Sequence, residues 1–160
     1  MHGAVRDRKE GAGDTSKGAR LHQGDKMKSI KYRSGYKYQL AEQYSTAIGI
    51  RPAADIVTPY VSMMRSGLLI ISEGYAWDGP SGPTIDTKSS LRGSLVHDAL
   101  YQLIRLGLLP LDMRCACDDE AHKIWIEDGM LKPRADAWRW CLNRFAGFAA
   151  EEKDSVLVAP

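Results

Sequence analysis

Cysteine is scarce: Cys115, Cys117 and Cys141 are the only three in 160 residues. An odd, small set does not make a disulfide framework, so packing must hold the fold and a reducing compartment is the expected setting. Charge of one sign is missing too. Lys and Arg number 22 against 20 Asp and Glu, a formal balance of +2 that gives no bulk-charge reason to bind nucleic acid. No run approaches the roughly 20 apolar residues a membrane helix needs; the longest are residues 68–71 and 108–111, the latter broken by Pro110. The N-terminal stretch has no apolar segment ahead of a small-residue cleavage site, so no secretion signal is expected. Gly79-Pro80-Ser81-Gly82 lacks the lysine of a phosphate-binding loop. What remains, 44% apolar and 26% charged residues, is the composition of one globular domain.

Residues 1–26 hold five of the 15 glycines and ten charged side chains of mixed sign. They cannot bury enough surface to offset the entropy of ordering, and a disordered tail or an extension ahead of a start at Met27 is expected. The domain then covers residues 27–150, with residues 151–160 a flexible tail. Tyr36, Tyr38 and Leu40 alternate with Lys37 and Gln39, which predicts a strand near 35–43. A second strand is expected from Ile56 to Ser62, at an edge because of Pro59, and a third from Leu68 to Ile71, the two forming a hairpin, with residues 48–52 a loop. Residues 77–90 carry two glycines and two prolines and read as a long shaped loop.

Ser89 or Ser90 can cap a helix over 91–106 that ends at Gly107, its apolar residues recurring at spacings of three and four. A second helix is expected from about Asp112 to Asp128, with Cys117, Ala121, Ile124 and Trp125 on one face and Gly129 as its stop. A third starts at Pro133 and carries Trp138, Cys141, Leu142 and Phe145. Short connections make neighbouring helices antiparallel. The fold class is α+β: a small antiparallel sheet of about three strands followed by three antiparallel-packed helices.

Chemistry concentrates around one helix. His97 and Tyr101, four residues apart, share a face with Ser94, while Asp98 points about 100° away. The preceding loop adds Asp78 and Asp86, and an antiparallel second helix adds Asp118, Asp119 and His122. A histidine held by a carboxylate can take a proton from water, since its unperturbed pKa of about 6.5 lies near working pH. Carboxylates with the carbonyls of a glycine loop suit a hard cation. The same group also reads as a buried hydrogen-bond network that fixes loop to helix, and Trp77 and Asp78 as an Asx-type turn lock. Cys115 and Cys117 diverge by about 200° on a helix and read as packing residues rather than zinc ligands. The only histidines upstream of His97-Asp98 are His2 and His22, both in the tail, which leaves an HD-type phosphohydrolase site incomplete. Trp138 and Trp140 with Arg134, Arg139 and Arg144 could face a partner, but Trp138 falls at core spacing.

The His97-Asp98-x-x-Tyr101 pattern behind a glycine loop resembles the active-site helix of secreted phospholipases A2. That resemblance implies His97 as general base, Asp98 as a calcium ligand, Tyr101 as a supporting donor, and Asp119 or Asp118 as the carboxylate that orients the histidine. It covers about 25 residues. The cysteines that flank the dyad in those enzymes are replaced by Gly93, Ser94 and Leu100. More broadly, Trp77-Asp78-Gly79, then His97-Asp98-Ala99-Leu100-Tyr101, then Asp119-Glu120 ahead of Trp125 resemble the phage and prophage family of domain of unknown function 1353, over Tyr36 to Phe145. This implies phage origin, placed in the bacterial host cytoplasm or the virion, without naming a reaction.

The expected site is therefore His97, Tyr101 and Asp119 as catalytic residues, with Asp98 and Asp78 for a divalent cation, calcium or magnesium. Trp77, Gly79, Gly82 and Asp86 shape the loop. The expected activity is metal-assisted hydrolysis of an envelope ester or amide. The alternative is a non-catalytic virion or tail accessory, or a binder of a host factor, that keeps the His-Asp-Tyr group for structure.

Overall fold

A computed structural model describes residues 32–33, 38–79 and 87–147. The expected tails, 1–26 and 151–160, and the loop positions Gly82 and Asp86 lie outside the described residues. The fold is α+β, as the sequence patterning implies, but the strands are shorter and more numerous than expected. Among the described residues, seven build two antiparallel sheets: β1 (Tyr32–Arg33), β2 (Tyr38–Leu40) and β7 (Ala76–Trp77) in the order β1-β2-β7, and β3 (Tyr44–Ala47), β4 (Ile56–Val57), β5 (Val61–Met63) and β6 (Leu68–Ile71) in the order β3-β6-β5-β4.

The expected strand over 56–62 is in fact a tight hairpin. Pro59 cannot donate to a ladder, and the chain turns there, with Thr58 Oγ1 accepting from the Val61 amide (3.0 Å) and donating to the Val61 carbonyl (2.8 Å). The expected strand over 35–43 likewise stops at Leu40, where Gly74 and Tyr75 take over its backbone bonds, and β3 starts a separate sheet. In β3, β5 and β6 the inward set is Tyr44, Thr46, Val61, Met63, Leu69 and Ile71, each almost fully buried, as a period of two requires.

Helix α1 (Lys88–Arg105) starts three residues earlier than expected. Thr87 is its cap residue, and Ser90 Oγ accepts from the Thr87 amide at 3.1 Å, so Ser90 acts from inside the first turn. A single 3-10 turn (Leu111–Met113) leads into α2 (Arg114–Glu127), and Pro133 occupies the first turn of α3 (Lys132–Phe145). Gly107 and Gly129 end the first two helices with φ of 70° and 84°, a region that disfavours a Cβ.

The core joins both sheets to Leu95, Val96, Ala99, Leu100, Leu103 and Ile104 of α1 and to Cys117 and Ile124 of α2. A smaller cluster of Ala121, Trp125, Met130 and Ala135, with Trp138 and Leu142 against it, seats α3 on α2. Helices α1 and α2 run antiparallel: Ser90 meets Trp125 at one end, Tyr101 meets Asp118 at the other. They approach closely at Gly93, where a Cβ would fall 2.4 Å from the Trp125 ring and 3.1 Å from the Ala121 carbonyl oxygen. A guanidinium is buried nearby: Arg92 pairs with Asp128 (2.6 Å) and Glu127 (3.2 Å).

Candidate functional site

Ser94, His97 and Tyr101 lie three and four residues apart on one stripe of α1, from which His97 and Tyr101 reach α2 and Ser94 reaches β7. On α2 the matching stripe is Asp118, Ala121 and Trp125, again at three and four. The register places Asp118 opposite His97 and Tyr101. Its Oδ1 lies 3.0 Å from His97 Nε2 and accepts the Tyr101 hydroxyl at 2.7 Å. The His97 and Tyr101 rings lie 4.0 Å apart, centre to centre. One turn toward the helix start, Trp77 Nε1 donates to Ser94 Oγ at 3.2 Å, and Ser94 Oγ donates to the Leu91 carbonyl. Trp77 is therefore a bolt between β7 and α1.

The imidazole bridges inside to outside. The Asp118 side chain is 0% exposed, His97 10% and Asp98 26%. Nε2 faces the sealed carboxylate, and Nδ1 lies 3.3 Å from Asp98 at the rim. A buried anion selects the tautomer with hydrogen on Nε2, which leaves Nδ1 as the nitrogen that gains and loses a proton. Burial works against charge on His97, but hydrogen bonds to Asp118 and Asp98, together with their charges, outweigh it and hold the pKa above 6.5. Burial and then the Asp118 contact push Tyr101 far above its ordinary value, so it stays a neutral donor. The Cys117 thiol, fully buried, is pushed up to about 12 by burial and then by the neighbouring Asp118 and Glu120.

Arg114, which the sequence reading did not single out, completes the surroundings. Its Nη1 lies 3.6 Å from Asp118 Oδ2, an oxygen with no hydrogen-bond partner among the described residues. The same guanidinium donates to the carbonyls of Leu142 and Asn143, each at 3.1 Å, and so ties α3 to the start of α2. The spacing of four between Arg114 and Asp118 is the sequence signal that could have found it, whereas its backbone partners lie nearly thirty residues away.

No family model, curated protein or solved structure matches this chain. The site therefore stands on its own geometry.

Several expected residues fall elsewhere. Asp119 does not orient His97: one helical step of 100° turns it toward α3, where it is half-exposed and pairs with Arg139. Asp118 takes the role, and the buried stripe it shares with Ala121 and Trp125 is the sequence signal that separates the two. His122 also faces α3, at 2.8 Å from Asp136, which Lys132 holds at 2.6 Å. The loop carbonyls expected to join Asp98 and Asp78 around a cation lie in part outside the described residues. Asp98 turns back on its own neighbour, Asp78 is exposed just after β7, and no three His, Cys, Asp or Glu side chains among the described residues group as a metal ion requires. Gly79, with φ of 78°, ends the described part of the loop. No helix among the described residues is long and apolar enough to cross a membrane.

Proposed function

We propose that the chain is a hydrolase of ester or amide bonds in which His97 is the general base. The observation that carries this is the graded placement of one imidazole, Nε2 on a fully buried carboxylate and Nδ1 beside the partly exposed Asp98. In the proposed reaction, Nδ1 takes a proton from a water beside it as the oxygen bonds to the substrate's carbonyl carbon. The protonated Nδ1 then returns that proton to the leaving oxygen or nitrogen as the carbon–heteroatom bond breaks. Asp118 holds the ring and balances the transient imidazolium, and Tyr101 fixes the carboxylate. Every step is assigned to side chains among the described residues.

The proposed substrate is a bacterial envelope ester or amide, the class that suits a chain of the phage origin expected from Trp77-Asp78-Gly79 and His97-Asp98-x-x-Tyr101. The test is hydrolysis of a panel of carboxylic esters, phospholipids and peptidoglycan fragments by the wild type, His97→Gln and Asp118→Asn. Turnover in the wild type that falls at least a hundredfold in His97→Gln supports the reading. No turnover in the wild type, or equal turnover in His97→Gln, overturns it.

A second reading rests on the burial itself. Tyr101 is 2% exposed, and the His97–Asp118–Tyr101 group knits α1 to α2 whatever else it does. On that reading the chain is a virion or tail accessory or a host-factor binder, and His97→Gln lowers the melting midpoint while no substrate in the panel is turned over.

A further inference from the structure

Helix α3 has two apolar faces and only one is used. Ala135, Trp138 and Leu142 pack on α2. On the opposite side Pro133, Ala137, Trp140 and Cys141 are exposed, and Phe145 joins them at the C-terminal end. Trp140 is 62% and Phe145 68% exposed, and their rings meet edge to face at 6.0 Å. Side chains of this size on a solvent-facing stripe bury nothing within the described residues.

The charge on this helix is as uneven as its hydrophobicity. Lys132, Arg134, Arg139 and Arg144 stand against the single carboxylate of Asp136, a net of +3 over fourteen residues. The chain as a whole carries only +2, so the other residues together are net negative. Around the axis, Arg144 and Asp136 each fall within about 40° of Trp140, Arg134 lies between Cys141 and Phe145, and Lys132 and Arg139 lie together about 80–100° from Trp140 on its other side. Two exposed aromatic rings thus share one side of the helix with guanidinium groups, a combination that suits a helix lying flat in an interface.

The geometry points to an anionic bilayer surface as the occupant, with α3 lying along it and Trp140 and Phe145 entering the headgroup region. The surface is independent of the catalytic reading and does not rest on it. Two other occupants fit less well. A second copy would set Lys132, Arg139 and Arg144 against their own like charges. Nucleic acid needs flat rings for bases, and the perpendicular Trp140 and Phe145 rings form a wedge rather than a stacking platform. A bilayer requires only the net field at long range and apolar contact at short range.

The full chain is co-sedimented with vesicles of phosphatidylcholine alone and of phosphatidylcholine mixed with phosphatidylglycerol, with Trp140→Ser, Arg144→Gln and His97→Gln beside it. The expected result is sedimentation with the mixed vesicles only, weakened about fivefold in Arg144→Gln and about tenfold or more in Trp140→Ser, and reduced by salt. His97→Gln binds like the wild type, so failure of the hydrolase reading leaves this result untouched. Melting midpoints equal to the wild type show that the α3 variants are folded. The proposal is overturned if neither vesicle is bound, if Trp140→Ser binds as well as the wild type, or if the chain self-associates or binds single-stranded DNA through Trp140 while ignoring vesicles.

Discussion

Gly93→Ala is the sharpest test of how the two site-bearing helices are held. In an isolated helix this change would stabilise by about 1 kcal/mol, because alanine is the better helix former. Here the added methyl would sit 2.4 Å from Trp125 Cδ1 and Nε1 and 3.1 Å from the Ala121 carbonyl oxygen. The indole cannot simply swing aside, since its Nε1 donates to the Ser90 carbonyl at 3.1 Å and its ring meets Trp138 edge to face. The Ala121 oxygen is backbone, so yielding there means shifting α2. Overpacking of this kind costs about 1–3 kcal/mol, and loss of the indole hydrogen bond adds about 1 kcal/mol. Against the helical gain, a net destabilisation of about 1–3 kcal/mol is expected. For a chain of this size that corresponds to a fall of roughly 3–10 °C in melting midpoint. Urea unfolding monitored by tryptophan fluorescence measures it directly. A variant as stable as the wild type, or more so, would refute the close approach of α1 and α2 at this position.

Three further outcomes follow from the same contacts. Asp118→Asn removes the anion that offsets burial, so the His97 pKa, read by NMR titration, should fall and stability should drop by about 2–4 kcal/mol, whereas Asp119→Asn should leave both nearly unchanged; the reverse pattern would reassign the partner. Because the folded state holds the His97 proton more tightly than the free value of about 6.5, its contribution to stability is complete below that pH and is lost as pH rises through the raised folded pKa. The stability gap between wild type and His97→Gln should therefore narrow across that alkaline step, and under the hydrolase reading turnover should rise over the same interval. Arg92→Met leaves Asp128 and Glu127 without their buried cation and should cost about 1–3 kcal/mol in urea unfolding; a gain in stability would mean that the pair was a net burden.

The helices were legible because their start and stop residues act locally: Pro133 at a first turn, Gly107 and Gly129 past the ends, and apolar spacings of three and four between. The sheets were less so. Pro59 divides what reads as one strand into a hairpin, and Tyr44-Ser45-Thr46-Ala47 becomes a strand through its pairing with Leu68–Ile71, a partner more than twenty residues away. The His97–Tyr101 face was readable from one helix alone. Choosing Asp118 over Asp119 required the facing stripe of α2, and the bonds of Arg114 to carbonyls at the end of α3 are ones that no side-chain pattern encodes.

The sulfur of Cys117, sealed between the sheets and the second helix, gives the protein an internal clock. An alkylating reagent at neutral pH meets Cys115 and Cys141 at once, since both are exposed. It reaches Cys117 only when the surrounding packing parts, since burial both shields the sulfur and disfavours its thiolate. The delay before a third mass increment appears on the intact chain thus times the opening of the very helix pair that carries His97, without any label or substitution.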